Sequence, residues 1–207
     1  MTERALDVVT VGRVSVDLYG QQVGGRLEDM ASFAKYVGGC PANIAIGAAR
    51  LGLRSALISR VGDEHMGRFI REQLAREGVE TKALVTDPAR LTALVILGIR
   101  DRETFPLIFY RENCADMALT EADIDDGFIA SSRALVVTGT HFSRATVAAA
   151  SRRAMVLARR HATKIVLDID YRPVLWGLTG HGLGERRLAT YVSITVRAIE
   201  SVLPSGR

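Results

Sequence analysis

The sequence predicts an α/β fold: a mostly parallel sheet flanked by helices, with a small second sheet set beside it. Three observations carry this. Short β-branched runs alternate with helix-period segments from LDVVTVG (6–12) to KIVLDID (164–170), the order of repeated βαβ units, whose strands pair in parallel with helices on both faces. Two β-rich stretches, 13–37 and 91–111, break that alternation and are expected to pair with each other. The 207 residues, 48% hydrophobic and 24% charged, suit one globular domain with a substantial core.

Taken in order, LDVVTVG is a buried strand closed by Gly. Residues 13–37 read as strand, loop, strand around a Gly-Gly turn. PANIAIGAARLG (41–52) is a helix: Pro suits its first turn, Ala, Ile and Leu recur at helical spacing, and Gly52 ends it. SALISRVG (55–62) is the next strand, and EHMGRFIREQLAREG (64–78) is an amphipathic helix closed by Gly78. Asp63 is the N-cap candidate for that helix. TALVILGI (92–99) and TFPLIFYR (104–111) form a hairpin about the charged turn 100–103. LTEADIDDGFIASS begins with a Thr cap and an acidic first turn and reads as one short helix. A strand at 134–140, an Ala/Arg helix at 144–161, the strand at 164–170 and a last helix at 186–203 complete the pattern.

The formal net charge is +4, from 24 Arg and 3 Lys scattered along the chain. A nucleic-acid binder concentrates its cations in a stripe with interleaved aromatics; paired arginines such as Arg152-Arg153 read as solvated helix faces. Cys40 and Cys114 have neither metal-ligand spacing nor a disulfide framework and are expected to be free thiols in a reducing compartment. The N-terminus mixes acid and base before a short apolar run, unlike a signal peptide, and no apolar stretch reaches membrane-spanning length. A cytoplasmic protein with no membrane or nucleic-acid partner is expected.

Ligands of open α/β sheets bind at the carboxyl ends of the strands, and several polar residues fall there. Asp17 follows the first strand; a loop Asp is either a turn former or a ligand acceptor. Gly38 and Gly39 precede a helix start, where glycine permits close approach or an unusual φ and the helix offers free N–H groups. Asn43 donates and accepts at once, which suits a sugar hydroxyl; a plain capped turn is the other reading. Tyr110 and Arg111 emerge from the hairpin. Asp168 and Asp170, at i and i+2, share one face if both lie on the strand. They are then a metal or acid/base pair, or Asp170 simply anchors Arg172. Two arginines near one pocket suit an acidic ligand, since Arg pairs with carboxylate or phosphate. His65 reads as a surface helix residue, and His141, at the ligand edge, as structural. Neither a G-x-x-x-x-G-K-[ST] loop nor a G-x-G-x-x-G fingerprint is present; GHGLGE (180–185) lacks the Lys and the preceding strand.

The N-terminal strand with Asp17, then GGCPANIAIGAARLG, then RVGDEHMG, in that order and spacing, resemble the ribokinase-like (PfkB) family of sugar kinases. FPLIFYRENCADMAL, TGTH and DIDYRPVLWGL resemble its branch that phosphorylates the sugar acid 5-dehydro-2-deoxy-D-gluconate in myo-inositol catabolism. The resemblance runs from about Asp7 to Leu178. It implies a ribokinase-like fold in which 13–37 and 91–111 form a β-lid, through which a homodimer can form. It implies ATP and Mg2+ as cofactors and a small-molecule sugar-acid substrate. By the same resemblance Asp17, Gly38, Gly39 and Asn43 hold substrate hydroxyls, while Arg111 and Arg172 belong to the acid-sugar site; Tyr110, next to Arg111, is also expected to bind substrate, and related 2-keto-3-deoxygluconate kinases often carry Asn at the position of Asp170. The family takes its general base and phosphoryl-binding N–H groups from a later G-A-G-D motif, which these 207 residues do not contain. The chain is therefore expected to be the N-terminal part of a kinase domain and inactive by itself. Alternatives are a 2-keto-3-deoxygluconate or fructokinase-type kinase, or a non-catalytic sugar-acid-binding module.

Overall fold

The structure, a computed structural model, describes residues 4–170, 172–178 and 180; the helix expected at 186–203 lies outside them. Five strands form one all-parallel sheet: β1 (Leu6–Val11), β4 (Ser55–Gly62), β5 (Leu84–Asp87), β8 (Ser132–Thr138) and β9 (Lys164–Asp168), in the order β5-β4-β1-β8-β9. Four others form a mixed sheet in the order β3-β2-β6-β7: β2 (Ser15–Gly20), β3 (Phe33–Gly38), β6 (Ala93–Leu97) and β7 (Leu107–Tyr110). There β2 pairs antiparallel with β3 and parallel with β6, and β6 pairs antiparallel with β7. The segments 13–37 and 91–111 thus supply every strand of the smaller sheet.

Four helices cover the larger sheet: α1 (Cys40–Arg50), α2 (His65–Arg76), α3 (Asp126–Ala130) and α4 (Ala145–Arg160). Alternation along β4 divides the core. Ala56 and Ile58 join β1, β8, α3 and α4 on one face, while Leu57 and Val61 join α1 and α2 on the other. On α2, Gly67, Ile70 and Leu74 repeat at helical spacing on its buried face. Each fully buried Ile or Leu contributes about 1.5–3 kcal/mol. Val14, Val16, Leu18, Val37 and Leu94 of the small-sheet region also pack into the α1–α2 core. One face of the small sheet is therefore fixed, and the other, carrying Asp17, Val95 and Phe109 in register, is turned toward the carboxyl ends of the large sheet.

Four local expectations are corrected. The N-cap of α2 is Glu64, whose carboxylate accepts from Met66 N at 2.6 Å and Gly67 N at 3.1 Å; Asp63 is exposed one residue earlier. The predicted helix after Leu119 is two elements. Thr120 and Asp123 close a capping box on a 3-10 turn (Glu121–Asp123), and Asp125 then caps α3 by accepting from Phe128 N. Strand β5 goes unpredicted because its four residues, LVTD, end in an Asp-Pro turn and carry too few apolar positions to show a period. Finally, β9 ends at Asp168, and Asp170 lies beyond it with φ +35°. The i, i+2 rule for a shared strand face does not apply to Asp168 and Asp170.

Candidate functional site

Chain order reverses about β1: β4 and β5 lie on one side, β8 and β9 on the other. Such a switch point opens a crevice beyond the strand ends, and polar residues converge there. Arg13 follows β1. Thr140 and His141 lie on the 3-10 turn Gly139–Ser143 that follows β8, and Asp170 follows β9. The Asp17 face of the small sheet closes over them with Asp17 and the buried Phe109.

Asp17 sits between an open cleft and this buried group. The cleft, about 610 Å³, has Asp17, Tyr19, Tyr36 and Asn43 among its walls, a volume suited to a small-molecule ligand. The Asp17 carboxylate accepts from Ser15 Oγ at 2.8 Å. Burial raises its pKa, offset in part by that hydrogen bond and by Arg13 and Arg172. A Cβ at Gly38 would stand 2.0 Å from Asp17 Oδ1, and one at Gly39 would stand 2.4 Å from the Arg13 carbonyl oxygen, where φ is +99° besides. The pair of glycines therefore lets β3 turn into α1 while an acidic side chain occupies the space a Cβ would take. Asn43, exposed on the first turn of α1, completes that wall.

Behind Asp17 lie the charges. Arg111 is 4% exposed, and its Nε donates to Asp116 Oδ2 at 2.7 Å, with Nη2 at 2.6 Å from the same oxygen but without hydrogen-bond alignment. Arg13 is 5% exposed, with its guanidinium 5.5 Å from the centre of the Phe109 ring and its Nε unpartnered. Burial, with Arg111 next, lowers the Arg13 pKa. His141 is fully buried; burial, then Arg111 and Arg13, hold its pKa well below the ordinary value, and its Nε2 has no partner. Thr138 Oγ1 and Asp116 Oδ1 are likewise buried and unpartnered. Buried polar atoms are normally satisfied; here Arg13 Nε, Thr138 Oγ1, Asp116 Oδ1 and His141 Nε2 have no hydrogen-bond partner within the protein.

The two carboxylates after β9 diverge. Asp168 Oδ2 accepts from Cys40 Sγ at 2.8 Å, and its Oδ1 accepts from Asp170 N. Asp170 Oδ2 accepts from Thr140 Oγ1 at 2.7 Å. Arg172 Nη2 is 3.9 Å from Asp170 Oδ1, a long ion pair. The two carboxylates are thus engaged by different partners, and among the described residues no cluster of three His, Cys, Asp or Glu could hold a metal ion.

The structure thus brings together Asp17, Gly38, Gly39 and Asn43 at the cleft, with Arg111 and Arg172 behind it. Tyr110 is not part of this group. It pairs with Leu94 on β6, whose side chain packs into the α1–α2 core, whereas Phe109 pairs with Val95 on the Asp17 face. Tyr110 is 54% exposed and points from the opposite face. Sequence reasoning missed Arg13 and Asp116. The available signal was an arginine set between two β-branched runs, TVG and VSV, where burial is expected.

Comparison with known proteins agrees with this architecture. The chain is 39% identical over 175 residues to a 5-dehydro-2-deoxygluconokinase of Geobacillus kaustophilus, covering 84% of this chain and 52% of the relative. It thus spans about half the length of that curated relative. A solved PfkB protein from Polaromonas sp. JS666 superposes with TM-score 0.82 at 31% identity, over 96% of this chain and 63% of that one. A sugar kinase from Pyrococcus horikoshii, solved in complex with ATP, shares the fold at TM-score 0.80 and 24% identity, over 94% of this chain and 59% of that one. The model of the pfkB family carbohydrate kinases matches residues 5–192, and the chain belongs to that family.

Proposed function

We propose that this chain carries the substrate-binding part of an ATP-dependent sugar-acid kinase whose acceptor is 5-dehydro-2-deoxy-D-gluconate. The observation that carries the reading is a hydroxyl-sized acceptor wall, Asp17 with Asn43, within electrostatic reach of Arg13 and Arg172. A polyhydroxylated chain offers its hydroxyls to the first and its carboxylate to the second. The kinship with 5-dehydro-2-deoxygluconokinases supports the choice of acid.

In this reading Asp17, Asn43 and the N–H groups at the start of α1 orient the acceptor, and orientation supplies much of the catalysis in phosphoryl transfer. ATP supplies the phosphoryl group. The 207 residues contain no G-A-G-D segment to provide a base or phosphoryl-binding N–H groups, and among the described residues no cluster of three His, Cys, Asp or Glu could hold the Mg2+ that would accompany ATP. The chain by itself therefore binds the acid and transfers phosphoryl poorly or not at all. It acts in the cytoplasm. The β2–β3 and β6–β7 segments form a lid, and the exposed Phe33 and Tyr110 on its strands support a homodimer through it.

The test is calorimetric titration of the chain with 5-dehydro-2-deoxy-D-gluconate, 2-keto-3-deoxy-D-gluconate and D-fructose, together with ADP release from ATP. Binding of the first acid in preference to the others, with ADP release at background, is expected. Preference for 2-keto-3-deoxy-D-gluconate or fructose would move the assignment to those kinases. Robust ATP turnover would refute the inactivity of the isolated chain.

A further inference from the structure

The cations of the site are not equivalent. Arg111 already has a carboxylate: its Nε donates to Asp116 at 2.7 Å, and the side chains are 3% and 0% exposed. Arg172 faces Asp170 at 3.9 Å. Arg13 is different. It is 5% exposed, lies 5.5 Å from the Phe109 ring centre, and its Nε has no acceptor. Asp170, Asp17 and Asp116 act on it only through space.

From this contrast we infer that Arg13 is a specificity-determining residue of the site: the cation left open for the carboxylate of an acidic ligand, held in place by Phe109. The inference rests on the sugar-acid reading and goes beyond it, because the sequence resemblance points to Arg111 and Arg172.

The energetics follow from burial. Removing a guanidinium from water is costly unless an anion and hydrogen bonds compensate. The ring of Phe109 compensates only in part. The lowered pKa of Arg13 expresses the same shortfall. A ligand carboxylate supplies the missing acceptors, so the site favours an acid over the matching neutral polyol. Val174 and Leu175 pack against the cluster of Val95, Leu97 and Phe109, which keeps the environment of the Phe109 ring apolar and strengthens any charge pairing made there.

The experiment uses the 207-residue chain, with D-gluconate as the acidic probe and D-glucitol as the neutral one, read by calorimetry. Wild type is expected to prefer gluconate. Arg13→Lys keeps a charge but loses the planar fork, and is expected to lose about tenfold or more in gluconate affinity with glucitol binding unchanged. Phe109→Leu, which leaves Arg13 in place without its ring, is expected to lose part of the same preference; it decides the matter if Arg13→Lys shows no cooperative melt. Unchanged gluconate preference in the folded variants, or equal loss for both probes, would overturn the role of Arg13 while leaving the sugar-acid reading intact. A wild-type chain that does not prefer gluconate would overturn the sugar-acid reading, and the inference with it.

Discussion

Gly38 and Asp17 occupy one another's space: a Cβ on Gly38 would stand 2.0 Å from Asp17 Oδ1 and 2.2 Å from Oδ2. The glycine is what permits a half-buried carboxylate at the cleft wall. Gly38→Ala must therefore push Asp17 off its Ser15 hydrogen bond or shift β3. A charged hydrogen bond to a ligand hydroxyl contributes about 1.5–3 kcal/mol, so sugar-acid affinity should fall about tenfold to a hundredfold. Calorimetry beside a thermal melt checks this; unchanged affinity would mean that Asp17 does not touch the ligand.

Arg111 and Asp116 form the most deeply buried ion pair described, at 3% and 0% side-chain exposure. Their attraction offsets two desolvation penalties, and removing one partner strands the other. Asp116→Ala should destabilise the chain by about 3–5 kcal/mol, whereas a double replacement by apolar residues of similar volume should cost much less. Urea unfolding of the single and double variants measures both. A double variant as unstable as Asp116→Ala would show that the pair's worth lies in the surrounding polar network rather than in its charges.

The fold was largely legible in the sequence because its signals are local. Val9, Val11, Leu135 and Val137 reveal their strands by apolar runs, and Ile70 and Leu74 reveal their helix by period. What was illegible was non-local. Strand β5 is defined by its pairing with β4 rather than by its own four residues. The separation of Asp168 from Asp170 depends on a positive φ at Asp170 and on Thr140, thirty residues away in sequence. At the site, Asp17 and the two glycines were readable because a short motif places them together. Tyr110 was assigned to it from its neighbour Arg111, although strand alternation turns it to the other face. Arg13 went unnoticed because nothing in GRV announces a ring from residue 109 stacked upon it.

His141 should give the chain an acid-sensitive stability. Burial, then Arg111 and Arg13, keep the native ring neutral well below its ordinary value of 6.5, while the unfolded ring protonates near that value. Below it the unfolded state binds more protons, so stability is lost as pH falls, by at most about 1.4 kcal/mol per pH unit for one proton. Asp17 acts in the opposite sense: its raised native pKa gives the folded state extra protons above 3.8, and stability declines as pH rises through that window. Urea unfolding from about pH 7 to about pH 5 should show the His141 slope in Asp17→Asn and a flatter one in Asp17→Asn/His141→Gln. Equal slopes would mean that another group carries the proton.

Cys40 tests which of two opposed effects governs the start of α1. A helix N-terminus lowers a thiol pKa, yet here burial, the hydrogen bond to Asp168 and the charge of Asp170 push the Cys40 thiol up to about 12. Burial weighs most, and the Asp168 carboxylate adds to it because it accepts from Sγ directly, at 2.8 Å, a bond that exists only while the sulfur keeps its proton. Burial likewise pushes Cys114 up to about 11. A disulfide-exchange reagent at about pH 8 should therefore label the native thiols on the order of a hundredfold more slowly than the urea-unfolded chain. Cys40→Ser, which keeps a donor for Asp168, should be more stable than Cys40→Ala by about 1 kcal/mol. Rapid native labelling of Cys40 together with equal stability of the two variants would show that the thiol does not donate to Asp168, and that the link between α1 and β9 rests on packing alone.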